Sequence, residues 1–214
     1  MAPENLFAPT TILPAAAALF ELAATFHYVR SVLRGETRPS RTTWLIWTPL
    51  AWLTVAGSIE AGADATLAKL VASALGVTAI AALALFRGTG GRTGSDFLCL
   101  ALTGAGVGAW SLLDDPVIGL AVFMIADIAG AVPTLRDTWR DPRRETPQAW
   151  LLGLAGSAVN LTLVDPSAWM AGFDGFAIWG FPVYLAVLNA GILALIARRR
   201  LAGSGAIGRP ELAW

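Results

Sequence analysis

Two carboxylates sit in apolar company 106 positions apart. Glu21 lies in FELAATFHYVR, residues 20–30, and Asp127 in AVFMIADIAGAVPTLR, residues 121–136. An ionised carboxylate deep in hydrocarbon costs roughly 2.5–3.5 kcal/mol on insertion scales, so such groups turn toward a protein interior or a water-filled path. Away from water the neutral acid is the cheaper form, and two acids that meet share their protons unequally. The chemistry this points to is a proton or cation switch. The plainer use is a protonated acid that ties helices together through a carbonyl or hydroxyl. Residues i+4 and i+7 share a helix face, which sets Thr25 and Tyr28 beside Glu21 and Thr134 beside Asp127. Each acid is therefore expected to have a hydroxyl neighbour on its own helix, toward the cytoplasmic end. His27 falls off that face.

A second polar pair comes from aligning Arg87 with Arg198, which places Thr78 opposite Asn189. Pro182 precedes Asn189 by seven residues on the same face, and Trp179 lies three residues before that. Asn160 and Ser157 share another face, with Thr54 corresponding to Asn160. An amide both donates and accepts, so these groups suit either a solute or interhelical hydrogen bonds worth about 0.6–2 kcal/mol. Pro49 and Pro182 interrupt apolar blocks, and Pro133 is expected to end one. Each removes a backbone donor and permits a kink, hence a hinge. Cys99 and His27 are single, so neither a disulfide nor a Cys or His metal cluster is expected. Gly-rich RGTGGRTGSD, residues 87–96, reads as a flexible connection and lacks the Gly-Lys-Ser/Thr ending of a phosphate loop. With no Ser-His-Asp set and no nucleotide motif, the reading includes no enzyme activity, no cofactor and no metal.

The elements that must hold these residues are membrane spans. Of 214 residues, 56% are hydrophobic and 14% charged, against about 25% charge in a soluble domain. Seven apolar blocks have the length needed to cross about 30 Å of hydrocarbon: Thr11–Val29, Thr43–Ile59, Leu67–Phe86, Phe97–Leu113, Pro116–Leu135, Ala149–Val164 and Phe176–Ala197. The first is read as a span rather than a cleaved signal, because MAPENLFAPTT has no basic residue. The second and sixth are short, and Trp44, Trp150 and flanking arginines are expected to make up the length at the interface. All fourteen arginines fall in the first, third and fifth connections or the C-terminal tail, while Lys69, Glu60, Asp64, Asp114, Asp115, Asp165 and Asp174 fall on the other side. The positive-inside rule then puts the N-terminus outside and the C-terminus in the cytoplasm of a cell (inner) membrane protein. Trp44, Trp47, Trp110, Trp150 and Trp169 are expected at the two interfaces, as aromatic belts. Arginine loops of this kind set topology and rest on anionic lipid headgroups; they do not suggest nucleic-acid binding.

Sliding the chain by 106 aligns Glu21 with Asp127, Arg30 with Arg136, Arg34 with Arg140, Arg38 with Arg144 and Trp44 with Trp150. Two copies of three spans, separated by one inverting span, would run parallel about an axis along the membrane normal. The expected organisation is a first three-helix bundle at 1–90, a linker helix at 91–115, a second bundle at 116–200 and a cytoplasmic tail at 201–214. The linker span, rich in Gly and Ala, is expected to pack closely through its small residues. This all-α, 3+1+3 arrangement resembles the SWEET and PQ-loop transporter superfamily. VPTLRDTWRDPRRET resembles its motif, with Pro133-Thr134 at the Pro-Gln place and His27-Tyr28 in the first copy. The resemblance implies two bundles around a central pathway, a solute bound near mid-membrane, and Asn189 and Trp179 flanking it with Thr78 in the matching position. The expectation is a transporter or facilitator of a small polar solute, of sugar or amino-acid class, with Glu21 and Asp127 available for proton coupling. The alternative is a non-transporting seven-helix sensor or scaffold subunit. Self-association into a homo-oligomer is open on either reading. Retinal chemistry is not expected, because Phe176–Ala197 contains no lysine for a Schiff base.

Overall fold

A computed structural model of the chain describes residues 9–60, 67–110, 112 and 116–204. Among the described residues the protein is all-helical. Seven α-helices follow one another: α1 (Pro9–Leu33), α2 (Arg41–Glu60), α3 (Leu67–Arg87), α4 (Gly94–Trp110), α5 (Pro116–Arg140), α6 (Pro147–Thr162) and α7 (Gly172–Ser204). Short 3-10 turns at Pro142–Arg144 and Pro166–Met170 precede α6 and α7. Three segments, Ile12–Leu33, Leu70–Arg87 and Trp179–Arg198, are long and apolar enough to cross a membrane.

The helices close into a ring. α1 packs on α3, α3 on α2, α2 on α5, α5 on α7, α7 on α6, and α6 returns to α1. α4 stands outside the ring, against α5 and, less extensively, α2. The outward faces are apolar: Leu19, Phe26, Phe86, Ile125, Leu151 and Val187 are all more than half exposed. The inward faces carry polar groups, with Asp127, Thr134, Ser157 and Asn189 all buried. A soluble monomer does not expose so much contiguous apolar surface; with polar groups inside, the pattern is that of a protein dissolved in lipid.

Local chemistry sets where the helices begin and stop. α1 ends in a Schellman motif, with Gly35 left-handed (φ 74°) and the Glu36 amide bonding the Ser31 carbonyl. α6 starts at Pro147, where a missing N–H costs nothing. Two close approaches need glycine. A Cβ on Gly130 of α5 would come within 2.6 Å of Ile46 on α2, and one on Gly156 of α6 within 3.3 Å of Phe20 on α1.

Several expectations fail here. Pro133 does not end its helix; α5 runs on to Arg140 with the proline inside it. Pro49 and Pro182 do lie inside their helices, α2 and α7, as expected. The loss of one amide bond is tolerated where neighbouring helices pack on both sides. Among the described residues α4 does not pack through its glycines: a Cβ on Gly104 or Gly108 would meet nothing, while Asp96, Cys99 and Thr103 form the buried stripe. Trp44 and Trp150 are not belt residues, for both are buried inside the ring; the side chain of Trp110 lies outside the described residues. The Gly-rich connection is held in place rather than loose. Thr89 bridges Ser40, Arg41 donates to the carbonyls of Ala84 and Gly90, and the Asp96 carboxylate accepts from the amides of Gly91 and Thr93.

Candidate functional site

The ring encloses a cavity of about 440 Å³. Its wall is drawn from all six ring helices and from none of the described residues of α4. Glu21 and Asp127 both reach it, each near the middle of a 25-residue helix. Tyr28, Asn160, Asn189 and Pro182 also line it, as do Thr25, Thr54 and Ser157. Thr78, Thr134 and Trp179 are not on the wall. Thr78 donates to the Ala74 carbonyl and accepts from the Trp52 indole. Thr134 hydrogen-bonds Thr43 of α2 at 2.9 Å. Trp179 stacks on Trp169 at 5.2 Å between ring centroids, which fixes it near the α6–α7 connection rather than beside Asn189. Pro49 is exposed on α2 and Pro133 buried in α5.

The hydroxyl partners of the acids come from elsewhere than expected. Ser73 of α3 donates to Glu21 Oε1 at 2.6 Å, and Tyr184 of α7 donates to Asp127 Oδ2 at 2.6 Å. Neither residue stands out by its local sequence. Both fall into register under the alignment of Arg87 with Arg198, which sets Ser73 opposite Tyr184. The same register links two further contacts. Arg87 donates to the Leu33 carbonyl and Arg198 to the Trp139 carbonyl. Thr78 bonds the Ala74 carbonyl and Asn189 the Leu185 carbonyl. Asn189 also explains the small residue facing it, since a Cβ on Gly153 would lie 2.4 Å from its Oδ1.

At the arginine-rich end the cavity abuts a packed plug. Tyr28, Val32, Trp44, Ile80, Trp150, Leu188 and Ile192 form one buried cluster there. Glu145, in the connection before α6, is its polar centre. It accepts from Tyr28 of α1 and from the Trp150 indole, both at 2.9 Å. Burial pushes Glu145 up to about 8, with Asp137 adding to the rise and the two donors opposing it. Tyr28 is thus a latch between α1 and the α5–α6 connection rather than a partner of Glu21. Trp44 Nε1, at the position matching Trp150, is buried with no well-formed hydrogen bond, its nearest polar contact being the Tyr28 hydroxyl.

Further out, Arg136 bridges Asp96 at 2.9 Å and Asp137 at 3.2 Å. Burial alone would raise Asp96, but the hydroxyl and amide of Thr93 and the Arg136 guanidinium outweigh it and hold the carboxyl down at about 2. This pair fastens α4 to α5. Several arginines read from sequence as topology signals therefore also cap carbonyls and tie connections together.

The chain matches no family model, no curated protein and no solved structure.

Proposed function

We propose that the chain is a multi-pass protein of the cell membrane that moves a small polar solute, with Glu21 and Asp127 in its path. On this reading all seven helices cross the bilayer, the N-terminus outside and the C-terminus in the cytoplasm. Residues 1–90 and 116–200 are parallel three-helix copies joined by α4, in the manner of SWEET and PQ-loop carriers. One observation carries the proposal: a central cavity reaches Glu21, Asp127 and Asn189 and is walled by six helices, with the described residues of the linker helix left outside. A scaffold has no use for one buried and one half-buried carboxyl around a central space, which costs dispersion contacts and desolvation. The paired contacts from Ser73 and Tyr184 support the copy relation. The plug of Tyr28, Trp44 and Trp150 at the arginine-rich end fits a pathway closed toward the cytoplasm.

The test is flux in proteoliposomes, with sugars, amino acids and small cations as probes. Wild-type protein is expected to move at least one class saturably and with a dependence on pH. Glu21→Gln or Asp127→Asn is expected to remove that dependence while the protein stays monodisperse. Equal flux by the double variant and the parent at every pH would end the coupling claim. A protein inert toward every probe would favour the sensor or scaffold reading.

A further inference from the structure

The hydrogen bonds within the cavity wall narrow what it holds. Most of its side-chain donors are already engaged. Thr54, Ser157 and Asn189 donate to carbonyls of their own helices, at Leu50, Gly153 and Leu185. Trp47 donates to the Asp127 carbonyl, and Ser73 to Glu21. The hydroxyl of Tyr28 and the indole of Trp150 both go to Glu145. Thr25, Asn160 and the second amide N–H of Asn189 remain able to donate, and the Trp44 N–H is buried away from the space, so the wall offers more acceptors and ring faces than donors. None of the described residues lining it is Lys, Arg or His.

The rings gather where the charge is. Phe123 lies one turn before Asp127 on α5, and both line the cavity. Phe123 and Phe181 meet edge to face at 5.9 Å, and Phe181 lies 5.9 Å from Tyr184, whose hydroxyl holds Asp127. Trp47 approaches from α2 through its bond to the Asp127 carbonyl. A carboxyl framed by aromatic rings is suited to an organic cation: the ring faces attract positive charge, and quaternary ammonium groups are commonly held in such settings. A primary ammonium donates and does not accept, and a quaternary one needs only negative charge and ring faces, so both complement a wall most of whose described donors are engaged. A sugar needs donors and acceptors in equal supply, and an anion needs a cation that none of the described lining residues provides. A void of about 440 Å³ is within the range that holds small molecules.

We infer that the cavity binds a small alkylammonium cation, its charge at Asp127 and its carbon body against Trp47, Phe123 and Phe181. Glu21 supplies a second carboxyl in the same wall. The inference rests on the transport reading only for the claim that the bound cation is moved.

The experiment uses the full chain, purified in detergent and in liposomes. Affinity is measured by calorimetry for choline, for n-butylammonium, for glucose, and for 3,3-dimethyl-1-butanol, the uncharged carbon isostere of choline. At least one of the two ammonium ions is expected to bind about tenfold or more tightly than the isostere and glucose, a gap of about 1.4 kcal/mol. Asp127→Asn is expected to abolish that preference, and Phe181→Leu to weaken the cation several-fold while leaving the isostere unchanged. If the isostere or glucose binds as well as both ammonium ions, the inference is overturned; this arm needs only wild-type protein. Cation binding untouched by a folded Asp127→Asn protein would overturn the assigned seat. Cation binding without flux would sink the transport reading and leave the site standing. Sugar flux without cation binding would do the reverse.

Discussion

The two halves of the ring solve one problem with different residues. In the first, a long acid meets a short hydroxyl, Glu21 with Ser73. In the second, a short acid meets a long one, Asp127 with Tyr184. The bond is the same length while the side chains differ, so what the halves share is a contact rather than an amino acid. Their surroundings diverge as well. Glu21 has Ala17, Ala24 and Thr25 as wall neighbours on its own helix, whereas Asp127 has Phe123. The indoles diverge at the arginine-rich end: Trp150 donates to Glu145, but Pro39 occupies the matching position in the first half and Trp44 Nε1 makes no well-formed hydrogen bond. On the helix of its acid the second half sets a ring and the first sets small residues one turn away, although Trp44 and Trp47 of α2 also face the cavity.

The strongest way to break this asymmetry is to remove Glu145. Glu145→Ala leaves the Tyr28 hydroxyl and the Trp150 indole buried without acceptors, at about 1–3 kcal/mol for each orphaned group. Thermal unfolding in detergent should show the largest loss of any single substitution in the plug. The second effect is on pH. Glu145 is raised from its ordinary 4.5 to about 8 in the folded protein, so the folded state holds its proton where the unfolded state has released it. Its contribution to stability is full below about pH 4.5, falls as pH rises, and is gone once pH passes about 8. Unfolding midpoints measured from pH 5 to 9 should decline, and Glu145→Gln, which cannot ionise, should flatten the decline. A wild-type profile rising over that range would contradict the buried acid.

Much of the frame was legible because lipid imposes a simple rule. An apolar block long enough to span reads as a helix, and the seven blocks overlie the seven helices. The helix extensions at the arginine-rich end were not legible. Residues 136–140 of α5 are mostly charged or polar and are helical because Arg136 anchors on Asp96 and Thr138 bonds back to the Thr134 carbonyl. Glu21 and Asp127 could be picked out because a carboxylate in an apolar run is costly wherever it sits. Their partners were harder. Ser73 and Tyr184 pair at an offset of 111 where Glu21 and Asp127 pair at 106, so the offset shifts between the second and third helices of each half. Glu145 gave no local signal: it follows Arg143 and Arg144 in a polar connection, and only the return of α1 against α6 buries it.

Third in size is the pair of acid contacts. Tyr184→Phe removes the donor to Asp127, and Ser73→Ala removes the donor to Glu21. Each should cost about 1–3 kcal/mol if the carboxyl is ionised and about 1 kcal/mol if it is neutral. Double-mutant cycles with Asp127→Asn and Glu21→Gln measure the two couplings separately. Similar couplings would sharpen the view that the halves conserve a contact. A coupling at Asp127 with none at Glu21 would mean that only the ring-framed acid depends on its hydroxyl.

The smallest effect compares the two indoles. Trp150→Phe and Trp44→Phe remove the same atoms from the same buried cluster, so lost ring area largely cancels between them. What differs is one hydrogen bond. Trp150→Phe leaves Glu145 Oε2 without its donor, while Trp44→Phe discards a buried N–H that makes only a loose contact with the Tyr28 hydroxyl. Trp150→Phe should therefore be the more destabilising by about 1 kcal/mol, read as a difference in unfolding midpoint between the two variants. Adding Glu145→Gln to each should shrink the gap, because the amide replaces the acceptor Trp150 needs but changes nothing near Trp44. A Trp44→Phe variant as costly as its counterpart would show that the first half hides an acceptor for its indole, and the asymmetry would then lie in the acids alone.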